Sequence, residues 1–278
     1  MRRRFAQVDV FSDTPYLGNA LAVVLDSDGL ATDGMQRFAR WTNLSETAFV
    51  VASTAPEADY AVRIFDTSSE LPFAGHPTLG TCHAWLDAGG RPHDNERIVQ
   101  QCGAGLVTLR RMADGLAFRS PPSARSGPVD GALLERIAVM LRIDRASIVD
   151  ARWAANGPNW VAILLPTADD VLAVRPGLVD LDVGVVGPHP RGSPAAFEVR
   201  AFFLKDGQTT EDPVTGSLNA AIAPWLVATG RATVPYVVSQ GRALGRAGRL
   251  HLSADDDGAV WVAGRTVTCI SGEVDLDG

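Results

Sequence analysis

Glu70-Leu71-Pro72-Phe73-Ala74-Gly75-His76-Pro77-Thr78-Leu79-Gly80 runs from a short turn-rich stretch into the start of a helix. Pro77 suits a first helical turn, where its missing N–H costs nothing. From there Leu79, Cys82, His83 and Leu86 recur at i, i+3, i+4 and i+7, a stripe that stops at Gly89-Gly90. Later in the chain, Glu211-Asp212-Pro213-Val214-Thr215-Gly216-Ser217 repeats the arrangement. Thr215 or Ser217 can cap a helix carrying Leu218, Ile222, Trp225 and Leu226 and ending at Gly230. Pro224, inside that stretch, predicts a kink or a shortened helix.

Outward from these two helix starts, short apolar alternations predict strands. They include residues 5–11, 48–51, 60–65, 106–109, 160–165, 197–203, 250–252 and 260–262. Helices are expected at 33–41, 77–88, 130–142 and 217–229. Many strands and few helices give an α+β fold class, with helices covered by curved sheets. Ser120-Pro121-Pro122-Ser123-Ala124-Arg125-Ser126-Gly127-Pro128 reads as a linker that resists both sheet and helix. It divides the chain into 1–120 and 121–278, with the last strand free to return to the first half. The order of elements is similar on both sides, which suggests two similar halves meeting at a cleft.

Of 278 residues 46% are hydrophobic, enough for a well-buried core. The net charge of -7 disfavours nucleic acid, which needs a basic face. Lys205 is the sole lysine, so Schiff-base chemistry would depend on it alone. Cys82, Cys102 and Cys269 are too few and scattered for a disulfide framework or a zinc cluster, and fit a reducing cytoplasm. The opening residues break polar before a signal-peptide core can form, and no apolar run of 18 or more predicts a membrane span. His83, His93 and His251 show no ligand spacing, so no metal is expected.

A helix N-terminus presents unpaired N–H groups and the positive end of a dipole. Two such starts facing one cleft could grip a substrate carboxylate and ease proton loss from the neighbouring carbon.

The order and spacing of several segments resemble the PhzF-like, diaminopimelate-epimerase-related family over nearly the whole chain. These are Asp9-Val10-Phe11 with Gly18-Asn19-Ala20, Asn43-Leu44-Ser45-Glu46-Thr47, the residue 70–80 stretch, Asn156-Gly157-Pro158, the 211–217 stretch, Ser239-Gln240-Gly241 and Gly245-Arg246-Ala247-Gly248. The resemblance implies a diaminopimelate epimerase-like fold, two halves each a barrel-like β-sheet around a central helix. It also implies chemistry without metal, flavin or pyridoxal. Related epimerases carry a cysteine at each helix start; here those loops hold His76 and Asp212 and no cysteine, which disfavours a two-thiol racemase. Cys82, on the apolar stripe, reads as core.

Glu46 matches the family's catalytic acid/base. A free glutamate titrates near about 4.3, and burial in an apolar pocket would raise it toward neutrality, where it can both take and return a proton. His76 and Asp212 match positions near substrate, as oxyanion donor and as amine partner or proton relay. Asn19, Ser45, Gly75, Gly216 and Ser217 complete the expected binding set. Ala20, Asp66-Thr67 and Val262-Ala263-Gly264 depart from the family's usual residues and point to a different substrate pocket.

The expected function is a cofactor-independent isomerase shifting a proton on a small amino-acid-like substrate in secondary metabolism. An amino-acid epimerase, or a ligand-binding protein that keeps the cleft without the chemistry, are the alternatives. The expected protein is a cytoplasmic homodimer with a small-molecule substrate and neither nucleic-acid nor membrane partners.

Overall fold

A computed structural model describes residues 1–121, 125–156 and 158–277. The chain forms two compact units, one of Met1–Arg119 with the segment from Ala263 onward, the other of Ser120–Val262. In chain order the elements are β1 (Arg2–Val10), β2 (Asn19–Val24), α1 (Thr32–Thr42), β3 (Glu46–Val51), β4 (Tyr60–Phe65), β5 (Glu70–Leu71), α2 (Gly75–Asp87), β6 (Arg97–Cys102), β7 (Gly105–Met112) and β8 (Gly115–Arg119). There follow β9 (Arg125–Pro128), α3 (Gly131–Leu141), β10 (Asp150–Ala155), β11 (Asn159–Leu164), α4 (Ala168–Ala173), β12 (Val183–Pro188), β13 (Phe197–Lys205), β14 (Gln208–Asp212), α5 (Gly216–Ala228), β15 (Tyr236–Gln240), β16 (Gly248–Ala254), β17 (Val260–Gly264) and β18 (Thr266–Asp275).

In the first unit β1 pairs antiparallel with both β2 and β18. The ladder continues with β3 parallel to β2, β4 antiparallel to β3, β6 parallel to β4, and β7 and β8 antiparallel in turn. Each parallel step needs a crossover, supplied by α1 and then by α2. Strands from both ends of this ladder, β8 and β18, touch α2, as do β1, β2 and β3, so the sheet curls around the helix. Gly75 through Cys82 are all buried, as a helix enclosed by its sheet must be. On the outer face Met35 and Ala39 of α1 pack with Val24, Phe49 and Phe65.

The second unit repeats the pattern of directions. β9, β10 and β11 are antiparallel, β12 is parallel to β11, β13 antiparallel, β15 parallel to β13 and β16 antiparallel. Here α4 and α5 make the crossovers, and α5 lies against β10, β11 and β16. Ile137, Leu141, Val161, Val171, Val183 and Val185 form its outer core.

Three local expectations need correction. Helix α5 is not shortened at Pro224 but runs through it to Ala228, with the proline on the exposed face. Thr215 occupies the N-cap of α5 as expected, but its side chain makes no cap hydrogen bond because its hydroxyl is committed to Asp212, and Ser217 lies inside the helix as its second residue. Part of the predicted linker, Arg125–Pro128, is a strand against β10, with its proline at the strand end where a missing donor is tolerated. Residues 122–124 of that linker, and Gly157 of the Asn156-Gly157-Pro158 segment, lie outside the described residues.

Candidate active site

The site in the first unit is assembled from the first residues of three elements. Asp9, buried on β1, accepts the Gly18 N–H at 2.7 Å and so fixes the turn that delivers Asn19 to the start of β2. A side chain at position 18 would run into the Val10 carbonyl, so the turn requires glycine. The parallel pairing of Leu21 with Glu46 then sets the start of β3 beside the start of β2. Leu21 lies against Gly80 of α2, and Glu46, in register with it, shares that helix-facing side.

His76, the second residue of α2, is 4% exposed. Its Nε2 lies 3.3 Å from Oε2 of Glu46, and its Nδ1 lies 3.4 Å from Nδ2 of Asn19. The ring is also hydrogen-bonded to the backbone of Ala20. Burial dominates its titration and lowers its pKa to about 3, so the imidazole is neutral at ordinary pH. Glu46 keeps 19% of its side chain exposed, although Oε2, the oxygen that faces His76, is buried. Asn19, Glu46 and His76, all singled out from sequence, are therefore brought together. Ser45 immediately precedes Glu46 and is half-buried; Gly75 is the first residue of α2. No acidic side chain occupies the first turn of α2, so nothing on the helix itself offsets its positive end.

In the second unit Asp212 ends β14. Next to it, Glu211 makes a two-pronged ion pair with buried Arg200, at 2.9 and 2.8 Å. Oδ2 of Asp212 accepts the Thr215 hydroxyl at 2.6 Å. Ser217, buried in the first turn of α5, accepts the indole N–H of Trp160 at 3.2 Å. Asp212, Gly216 and Ser217 thus belong to one turn and the helix start that follows it. The first turn of α5 also lacks an acidic residue.

Sequence reasoning did not assign the residues that hold these starts in place. Gln240 on β15, fully buried, is the chief of them. Its Oε1 accepts the Thr215 N–H and the Asn219 amide, both at 3.0 Å, while its Nε2 donates to the Thr215 hydroxyl at 2.8 Å and the Asp212 carbonyl at 3.2 Å. Gln100 on β6 does related work in the first unit, donating to Thr78 of α2 and accepting from Tyr60, both at 3.1 Å. The one available signal was the Ser239-Gln240-Gly241 segment, which marked a position without a role. Cys82 is fully buried in α2, and burial pushes its thiol up to about 12, as befits a core residue. Among the described residues no group of three or more His, Cys, Asp or Glu side chains is arranged to hold a metal ion, and no helix is long and apolar enough to cross a membrane.

The model of the phenazine biosynthesis-like proteins matches residues 8–272. Antisense-enhancing sequence 1 of Schizosaccharomyces pombe is 34% identical, over 97% of this chain and 97% of its own length. The trans-2,3-dihydro-3-hydroxyanthranilate isomerase of Pseudomonas aeruginosa is 30% identical, over 98% of this chain and 99% of its own. Among solved structures, a PhzF family phenazine biosynthesis protein of Bacillus anthracis superposes with a TM-score of 0.83 at 21% identity, covering 99% of both chains. That similarity shows the shared diaminopimelate epimerase-like fold, with helices enclosed by curved sheets. With a family match over nearly its whole length and full-length relatives at 30% identity and above, the chain belongs to the phenazine biosynthesis-like, or PhzF, family and is an isomerase.

Proposed function

We propose that this isomerase works without a cofactor and moves a proton between two carbons of a small amino-acid-like substrate, with Glu46 as the acid/base. The observation that carries this is the juxtaposition of a partly accessible Glu46 with a buried, neutral His76 at the start of α2. The Glu46 carboxylate takes a proton from an activated carbon, and the electron pair left behind delocalises into the conjugated system. The same carboxyl returns the proton to another carbon of that system, so a double bond shifts with no net oxidation. Neutral His76, in the tautomer that carries its single proton on Nε2, donates a hydrogen bond to the oxygen on which negative charge builds, and the N–H groups at the start of α2 favour the same charge. Asn19, Ser45 and Gly75 bind substrate on this reading. Asp212 serves as a further catalytic group, with Gly216 and Ser217 contributing the second anion-binding helix start. The protein is a cytoplasmic homodimer, which sedimentation and cell fractionation check.

The first compound to test is trans-2,3-dihydro-3-hydroxyanthranilate, named for the Pseudomonas aeruginosa relative. In deuterium oxide, one solvent deuteron should enter per product at the newly protonated carbon, or fewer if Glu46 returns the original proton. Deuterium entry with inversion at a single carbon and no double-bond shift would make the protein an epimerase instead. Binding without exchange across a set of such metabolites would leave a ligand-binding protein.

A further inference from the structure

The second unit contains a counterpart of Glu46. In the first unit Ala22 pairs with Thr47, and Thr47 turns to the outer face, its hydroxyl 3.1 Å from that of Thr42 on α1. In the second unit Val161 pairs with Val183, and both lie in the outer core with α3 and α4. Val183 therefore occupies the place of Thr47, and the residue before it, Asp182, occupies the place of Glu46. The neighbouring strands agree. Leu21, beside Glu46, lies against Gly80 of α2. Trp160, the corresponding residue beside Asp182, reaches Ser217 of α5 with its indole N–H. Ser217 and His76 are each the second residue of their helix.

Strand alternation puts Asp182 on the same face as Gly184. Gly184 lies so close to Leu218, in the first turn of α5, that a Cβ there would collide with the leucine side chain. Asp182 thus faces α5 from the strand end nearest the start of the helix. It is half-buried, and its carboxyl takes a hydrogen bond from the Asn159 backbone. Among the described residues no arginine, lysine or histidine pairs with it. Asp180, two residues earlier, is by contrast matched by Arg136 at 2.7 Å. Burial pushes the Asp182 carboxyl above its ordinary range, and the Asn159 hydrogen bond offsets this only in part. A carboxylate so placed is stabilised by a ligand that brings its own positive charge.

We propose that Asp182 is a substrate-binding residue that receives the ammonium group of an amino-acid-like substrate. This deepens the isomerase reading, since the position is identified by its correspondence to Glu46. It assigns the substrate class as one carrying an amine on a saturated carbon, protonated at neutral pH.

The matched probes 2-aminocyclohexanecarboxylate and cyclohexanecarboxylate differ only in that ammonium. Titrated calorimetrically into the full chain, the amine-bearing probe should bind about tenfold more tightly, the scale of one charge-assisted hydrogen bond. Asp182→Asn should abolish the preference, and Asp182→Glu should retain it, which separates charge recognition from failure to fold. Glu46→Gln should keep the preference while losing proton exchange. Equal binding of the two probes by the wild type, or an undiminished preference in D182N, overturns the proposal. A preference that depends on Asp182, in a protein that exchanges no proton on any substrate, upholds it and sinks only the isomerisation mechanism.

Discussion

Oε2 of Glu46 meets Nε2 of His76 at 3.3 Å, and because burial keeps that ring neutral the contact is not an ion pair. A protonated histidine at this distance would hold Glu46 as a weakly basic carboxylate. A neutral one places no such charge beside the carboxylate, as the proposed acid/base role of Glu46 requires. Glu46→Gln, which keeps volume and loses the proton function, should lower kcat by roughly 10²–10⁴-fold, the usual worth of a positioned acid/base. Steady-state kinetics on the substrate identified above check this, and activity within about tenfold of wild type removes Glu46 from the mechanism.

His76 also sets a pH dependence of stability. Its pKa falls from the ordinary 6.5 to about 3 on folding, so between those values the unfolded chain binds more protons than the native one. Stability from this residue is fully present above pH 6.5 and is lost as pH falls toward about 3. Urea denaturation between pH 7 and 4 should show a steeper loss for wild type than for His76→Gln. The difference approaches about 1.4 kcal/mol per pH unit at most. Parallel profiles would show that the ring is not buried neutral.

Gln240 joins four polar groups around the turn that carries Asp212 into α5. Replacing it by leucine of similar size leaves the Thr215 N–H and one of the two Asn219 amide N–H donors without an acceptor, the other still bonding the Thr215 carbonyl. Gln240→Leu should cost about 3 kcal/mol, since each buried group stranded in this way costs about 1–3. Chemical denaturation measures the loss, and a change below about 0.5 kcal/mol would mean that the network does not hold the turn.

Gly184 tests the close approach of β12 to α5. Gly184→Ala should destabilise by about 1–3 kcal/mol, because the new methyl meets Leu218 in a packed interior. Gly272→Ala is the control, with nothing within 4 Å of the added carbon. Equal melting temperatures for the two variants would contradict the packing.

What could be read from sequence follows physical range. The two helix starts were legible because the Leu79, Cys82, Leu86 stripe and the flanking glycines are local signals. Glu46, His76 and Asn19 were recoverable through family resemblance, since nothing in an isolated Ser-Glu-Thr distinguishes a site from a solvated loop. β12 escaped notice because Gly184, Gly187 and Pro188 break its apolar run, and Gly184 is explained by Leu218, a residue 34 positions away. The bounds of β18 escaped because much of it is exposed and so carries little apolar pattern. The tasks of Gln100, Gln240 and Trp160 come from partners distant in sequence, which no local pattern encodes.

The pairing of β1 with β18, Arg2 opposite Asp275, gives the chain a temporal asymmetry. A ribosome delivers every strand from β9 to β16 before it delivers β18. The second unit therefore has its central helix and surrounding ladder complete while the first still lacks a strand beside β1. The half that begins the sequence is the one that finishes last, and until then β1 presents an open edge that the nascent chain must keep from other partners.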